Sequence, residues 1–280
     1  PYLIQAQLST ADAISNVRTV KKIFDGDQQD AGLDVHDTVV RFRCAMQSPI
    51  LVGRNPKDIN IPFTNKGEEM RKVAYLYVFD TMADWEPSYI IAELHSGRYF
   101  KDRTLHYDVK TVSITPDPIT TMGGVTILPD MTVDQISAHE AGVLILPGGE
   151  TWLEAQHAPI FDCVSALLQA NIPVAAICGA TFGLAAQGFL NNRQHTSNDR
   201  DYLKAICPAY EGEALYCYQP AVVDGDLITA AGIAPLDFAR AILDKLDVFH
   251  PETLEAWYKL YQTHEARYFF ALMASLPQAS

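Results

Sequence analysis

From residue 70 onward, short and almost wholly apolar runs alternate with longer segments in which apolar residues recur at helical spacing. The run Val73–Phe79 predicts a strand buried on both faces, because a strand with one solvated face would alternate apolar and polar residues. Trp85–Gly97 predicts a helix opened by Asp84 and closed by Gly97. Tyr107–Ile114 predicts a second strand and Met122–Pro129 a short hairpin. Gly142–Leu146 is another fully apolar strand, and it ends on Pro147, Gly148 and Gly149. Pro159–Ala170 is amphipathic with proline in its first turn. Val174–Ile177 predicts a strand, Thr181–Gln187 a helix closed by Gly188, and Leu227–Ala230 a late strand. Pro235–Leu246 predicts a helix whose apolar stripe is Leu236, Ala239, Ile242 and Leu243. Strands alternating with helices imply an α/β domain: a parallel sheet with right-handed crossovers and helices on both faces.

The pattern changes near Thr64–Met70, a polar stretch that reads as a linker. It separates an N-terminal extension, 1–69, from the α/β domain, 70–280. The extension reads as small and α+β: a strand over Tyr2–Leu8, a helix over Ala11–Phe24 capped by Ser9 or Thr10, a polar loop over Gly26–Asp37, and a strand over Val39–Ala45. It carries no motif, and its role stays unassigned. At the other end, Trp257, Tyr258, Tyr261, Tyr268, Phe269 and Phe270 fall at helical spacing and predict a C-terminal helical tail that packs on the domain or on a partner subunit.

Composition narrows the function. The 280 residues are 48% hydrophobic and 20% charged, an ordinary balance for a globular chain. The formal net charge of −13 argues against nucleic acid or an anionic membrane as the main partner, since both select a basic footprint. No apolar run approaches the ~18 residues of a membrane span. The first twenty residues lack a signal-peptide pattern, so a cytoplasmic protein with reduced thiols is expected. The five cysteines (Cys44, Cys163, Cys178, Cys207 and Cys217) include no CxxC pair, and the eight histidines show no HxH or HExxH spacing. Neither a metal site nor a cofactor is therefore expected. Cys163 reads as a small buried hydrophobe on a helix. A Cys207–Cys217 disulfide is not expected in a reducing compartment.

Chemistry concentrates at Cys178. A short apolar strand runs into it, the small residues Gly179 and Ala180 follow, and a helix begins. That is the layout of a nucleophile elbow, in which a strained turn exposes a side chain above the strand's carboxyl end. A helix N-terminus also stabilises thiolate through its free N–H groups. The competing reading is a small cysteine filling a strand–helix corner. Gly148 and Gly149 close the preceding strand and present bare backbone N–H groups suited to an oxyanion, or simply supply a tight turn. Glu86 lies just after the first strand, placed either to share a proton with the thiol or to sit exposed in a helix's first turn.

Together, Val73–Phe79 with Glu86, Leu144–Gly149, Ala175–Thr181, His195–Asn198 and Thr229–Phe238 resemble the ThiJ/PfpI superfamily, across roughly residues 70–250. The wording around Cys178 and His195 is similar to its PfpI-like putative amidase subgroup. The resemblance implies a flavodoxin-like three-layer sandwich of the class I glutamine-amidotransferase type. It also implies a reactive Cys178, a Glu86 partner, oxyanion N–H groups from Gly149 and Gly179, and a homodimer. One departure matters: protease-like members carry histidine directly after the nucleophile, where this chain has Gly179. The remaining imidazole candidate is His195, with Asp199 or Asp237 to orient it, and with a packing role as its alternative. Thr181 and Asn198 are candidate polar contacts for the substrate.

Three functions follow. The first is an enzyme in which Cys178 attacks a small amide or a reactive carbonyl compound, covering hydrolase and glyoxalase or deglycase chemistry. The second is a redox or stress sensor with a low-pKa Cys178. The third is a non-catalytic binding module that docks a partner through the N-terminal segment. Glutamine amidotransfer fits less well, because the histidine of its usual triad is not evident.

Overall fold

The computed structural model describes residues 70–277, so the N-terminal extension, with its expected strands, helix and loop, lies outside the described residues. Seven strands form one sheet: β1 (Met70–Tyr77), β2 (Leu105–Ser113), β5 (Met131–Thr132), β6 (Ala141–Leu146), β7 (Val174–Ile177), β8 (Ala221–Asp224) and β9 (Leu227–Ala230). Their order is β5-β2-β1-β6-β7-β9-β8. Every pairing is parallel except the edge pair β8–β9. Side chains of β6, β7 and β9 are buried along their whole length. Successive side chains point to opposite faces, so complete burial means that both faces are covered. The sheet is thus the middle layer of an α/β sandwich, and each buried Leu, Ile or Val contributes about 1.5–3 kcal/mol.

The helices are α1 (Ser88–Ser96), α2 (Ala158–Gln169), α3 (Gly179–Ala186), α4 (Arg200–Ile206), α5 (Pro235–Lys245), α6 (Pro251–Thr263) and α7 (Ala266–Ser275). α1 packs on β2 and α5, α5 on β9, and α2 and α3 on β7. The aromatic tail forms two helices rather than one. Trp257 of α6 is fully buried and its indole N–H donates to the buried Glu93 carboxylate at 3.0 Å, whereas Phe269 and Phe270 of α7 are exposed. No helix among the described residues is long and apolar enough to cross a membrane.

Three local expectations are corrected. The hairpin pairs β3 (Ile119–Thr120) with β4 (Thr126–Ile127), so Met122–Gly124 form its turn rather than its first strand. Asp84 does not cap α1. Its carboxylate accepts from the Thr121 hydroxyl and the Gly123 N–H, both at 2.6 Å, and so ties that turn to the loop after β1. Those hydrogen bonds hold its carboxyl below the usual range. α4, β5 and β8 were not foreseen. All three are short, and β8 mixes exposed with buried positions, leaving little periodicity to read.

The topology positions the site. The chain lays β2 and β5 on one side of β1, then returns to place β6, β7 and β9 on the other. The strand order therefore reverses between β1 and β6. In open α/β sheets the crevice outside the strand carboxyl ends at such a reversal is where ligands bind.

Candidate active site

The carboxyl ends of four adjacent strands converge at this reversal. β1 leads to Glu86, β6 to Gly148 and Gly149, β7 to Cys178, and β9 to Gly232. Cys178 has φ 57° and ψ −124°, a strained conformation for a residue with a side chain, with α3 starting at the next residue. Such strain costs about 1–3 kcal/mol and persists only where the surroundings enforce it. Here they do. The Cys178 N–H donates to the Ala230 carbonyl at 3.0 Å. The Cys178 carbonyl accepts from the Thr181 N–H at 3.0 Å and from the Thr181 hydroxyl at 2.6 Å. Because that hydroxyl spends its proton on the carbonyl, Ser197 must donate to it across their 2.6 Å contact.

Close approach fixes the glycines. A Cβ on Gly148 would lie 2.6 Å from the Cys178 Cβ and 2.8 Å from a Glu86 oxygen. A Cβ on Gly179 would lie 2.6 Å from the Gly149 carbonyl oxygen. A histidine or any other side chain directly after the nucleophile therefore has no room here. The Gly179 N–H faces the Cys178 sulfur, and among the described residues the Gly149 N–H has no acceptor. Nearby, Thr81 is held at φ 72°, unusual for a β-branched residue, and its hydroxyl accepts from the Glu150 N–H at 3.1 Å. That contact pins the loop that carries Gly149.

Glu86 is completely buried. Its Oε2 accepts from the Gly148 N–H at 2.5 Å, while among the described residues the buried Oε1 makes no hydrogen bond of ordinary geometry and stands beside the Cys178 thiol. Burial pushes the carboxyl up to about 7, against the opposing pull of the Gly148 and Cys178 hydrogen bonds. Burial and the Glu86 charge push the thiol up to about 11, although donors from Asn198 and Gly179 favour its thiolate. The expectation of a low-pKa thiol is thereby corrected. The helix N-terminus is present, but desolvation and a neighbouring carboxylate outweigh it. Between these two pH values the pair holds one proton.

The other candidates divide. Asn198 reaches the site, with its side-chain amide donating to the Cys178 sulfur at 3.3 Å. Thr181 does not line the pocket; it is buried beneath the elbow. His195 is not brought to Cys178. One ring nitrogen contacts the Arg193 carbonyl and the other the Tyr210 hydroxyl, each at 2.7 Å, and burial lowers its pKa. Asp199 caps α4 by accepting from the Tyr202 N–H, and Asp237 accepts from the Tyr258 hydroxyl, so neither orients His195. Cys163, Cys207 and Cys217 are free thiols. The cleft over Cys178 has a volume of about 240 Å³ and is walled by Trp85, Ala231, Gly232 and Ile233. Gly232 was missed in the sequence, though it carries the same signal as Gly148, a glycine at the carboxyl end of a buried strand.

A family model for the DJ-1/PfpI family matches residues 71–245, which include Glu86, Cys178, Asn198 and Gly232. The chain belongs to the DJ-1/PfpI family. Among its relatives, the Bacillus subtilis protein named "Uncharacterized protease YoaZ" is 52% identical over 74% of this chain and 99% of its own length. A second B. subtilis protein, named "Uncharacterized protease YdeA", is 33% identical over 66% of this chain and 88% of its own. The crystal structure of a ThiJ/PfpI family protein from Bacillus anthracis superposes with a TM-score of 0.72 at 50% identity, covering 74% of this chain and 98% of that one. DJ-1/PfpI membership accounts for the α/β fold.

Proposed function

We propose that this protein is a cysteine-dependent hydrolase- or lyase-type enzyme acting on a small amide or reactive carbonyl substrate. One observation carries the reading: a buried Glu86 oxygen without a hydrogen-bond partner among the described residues, beside the thiol of a cysteine held on a strained elbow. A buried carboxylate oxygen left unsatisfied costs about 1–3 kcal/mol or more, and sharing the thiol proton relieves that cost. Cys178 Sγ attacks the electrophilic carbon while its proton passes to Glu86. The new C–S bond pushes the carbonyl π pair onto oxygen, where the Gly149 and Gly179 N–H groups receive it. For an amide, the nitrogen leaves with the proton from Glu86. Water then attacks the thioester, giving a proton to Glu86 that returns to the thiol. His195 has no part in this scheme, because both of its ring nitrogens are engaged elsewhere. The naming of two relatives as proteases supports the hydrolytic branch. The small cleft with Trp85 and Ile233 at its mouth favours a small substrate over a folded protein.

Redox sensing is the second reading, favoured by the Asn198 and Gly179 donors around the sulfur, which also suit an oxidised sulfur. Turnover of methylglyoxal and simple p-nitroanilides by wild type and Cys178→Ser tests the enzyme reading. The expected result is wild-type turnover of at least one class and a loss of about 1,000-fold or more in the variant. Equal rates in both proteins would overturn it. No turnover, with selective peroxide oxidation of Cys178 seen by intact mass, would favour the sensor.

A further inference from the structure

His195, Thr196, Ser197 and Asn198 form a short segment beneath and beside the elbow, and each residue has a distinct anchor. The His195 backbone pairs with the strand-like stretch at Tyr216, its carbonyl accepting from the Cys217 N–H at 2.8 Å. The Thr196 N–H donates to the Thr229 hydroxyl of β9 at 2.9 Å, and its own hydroxyl donates to the Gln219 carbonyl at 2.9 Å. Ser197 is held by the Tyr216 hydroxyl and by Thr181. These three residues are buried, whereas Asn198 emerges into the cleft.

The orientation of the Asn198 amide is dictated by its neighbours. The Gly232 N–H is a donor only, and it points at the Asn198 Oδ1 from 2.7 Å. The amide oxygen must face Gly232, so the amide nitrogen must face the Cys178 sulfur, 3.3 Å away. Gly232 sits in a turn closed by the Ala234 N–H on the Ala231 carbonyl, and its own carbonyl accepts from the Trp85 indole N–H at 3.4 Å. The turn lies so close that a Cβ on Gly232 would come 2.7 Å from the sulfur. Hence the Gly232 peptide does two things. It covers one side of the thiol, and it locks the amide as a donor toward that thiol.

We propose that Asn198 is the side chain that holds the Cys178 thiolate as it forms, that the Gly232 N–H fixes it in the donating orientation, and that His195, Thr196 and Ser197 are positioning residues that aim it. Asn198 thereby supplies, from another segment, the nucleophile-side hydrogen bond that an imidazole supplies in a Cys-His pair, without exchanging a proton. Among the described residues Glu86 is the titratable group beside the sulfur, so the two have separate tasks: Glu86 takes the proton, Asn198 steadies the charge left behind. The inference rests on the reading of Cys178 as a nucleophile.

Two variants separate thiolate holding from mere loop anchoring. Asn198→Ala removes both hydrogen bonds. Asn198→Asp keeps the acceptor for the Gly232 N–H but replaces the donor by a negative charge beside the sulfur. Asn198 is exposed, so neither change is expected to disturb folding. The readout is the rate of Cys178 alkylation by iodoacetamide across pH, located by peptide mass mapping, which needs no substrate. In Asn198→Ala the rate at pH 7.5 is expected to fall about tenfold and the midpoint to rise by about one pH unit. In Asn198→Asp the loss is expected to be at least as large. A wild-type rate and midpoint in Asn198→Asp would overturn the inference, leaving Asn198 as a loop anchor, and so would wild-type behaviour in both variants. A wild-type Cys178 inert to iodoacetamide would overturn the nucleophile reading, and this one with it.

Discussion

Glu86→Gln is expected to slow turnover by about 100-fold or more while leaving Cys178 open to alkylation. The glutamine keeps the shape of the carboxyl. Its oxygen accepts from the Gly148 N–H, and its amide nitrogen then faces the sulfur as a donor. The thiolate keeps a partner and loses a repelling charge, so alkylation persists. What disappears is the group that takes the thiol proton and returns it to the leaving atom. The same variant should be more stable at high pH. Burial raises the Glu86 pKa to about 7 from an ordinary 4.5, so between these values the folded state binds a proton that the unfolded chain has released. The stability this contributes is fully present below pH 4.5 and is lost as pH rises through about 7. The difference of about 2.5 pH units corresponds to about 3 kcal/mol as an upper bound. Urea unfolding at pH 5 and pH 8 should show the wild type losing stability and Glu86→Gln staying nearly flat, with a gain of about 1–3 kcal/mol over wild type at pH 8. Turnover at the wild-type rate in Glu86→Gln would contradict the role given to Glu86.

Gly148→Ala is expected to damage both members of the pair at once. Its new methyl group would meet the Cys178 Cβ at 2.6 Å and the two Glu86 oxygens at 2.8 and 2.9 Å, all of them buried or fixed. The overlap has no flexible side chain to absorb it. A loss of about 1–3 kcal/mol in stability is expected from overpacking. Separation of the thiol from the carboxylate should lower kcat about 100-fold, because misplacement on the order of 1 Å has that effect on a bonding geometry. Turnover assays with urea unfolding in parallel check both effects. Wild-type kcat in a folded Gly148→Ala protein would show that the close packing of these three residues is not needed for the chemistry.

Much of this was legible in the sequence because it rests on burial. Strands covered on both faces cannot alternate, so Val73–Phe79, Gly142–Leu146 and Val174–Ile177 announce themselves as continuous apolar runs. Glycines and the cysteine at the carboxyl ends of such strands mark the crevice. The edge strand β8 and the two-residue β5 carry no such pattern, and tertiary contacts decide them. The functional histidine was the misreading. His195 and Asn198 sit three residues apart, and sequence order gives no sign of which one reaches the sulfur. The Tyr210 hydroxyl, fifteen residues further on, captures the imidazole, and the Gly232 N–H, thirty-four residues away, captures the amide. The thiol's ionisation was also hidden. A helix N-terminus is visible in sequence, but the burial of Glu86 and its approach to Cys178 depend on the topological reversal between β1 and β6.

The central claim is that Cys178 itself forms the bond to substrate. Acid-quenched turnover followed by intact mass and peptide mapping tests this most directly, using whichever amide or carbonyl compound the wild type consumes. A transient adduct, of the mass of the acyl or carbonyl fragment, is expected on the peptide carrying Cys178 in the wild type, forming more slowly in Glu86→Gln and absent in Cys178→Ser. An adduct on another residue, or undiminished turnover by Cys178→Ser, would contradict it.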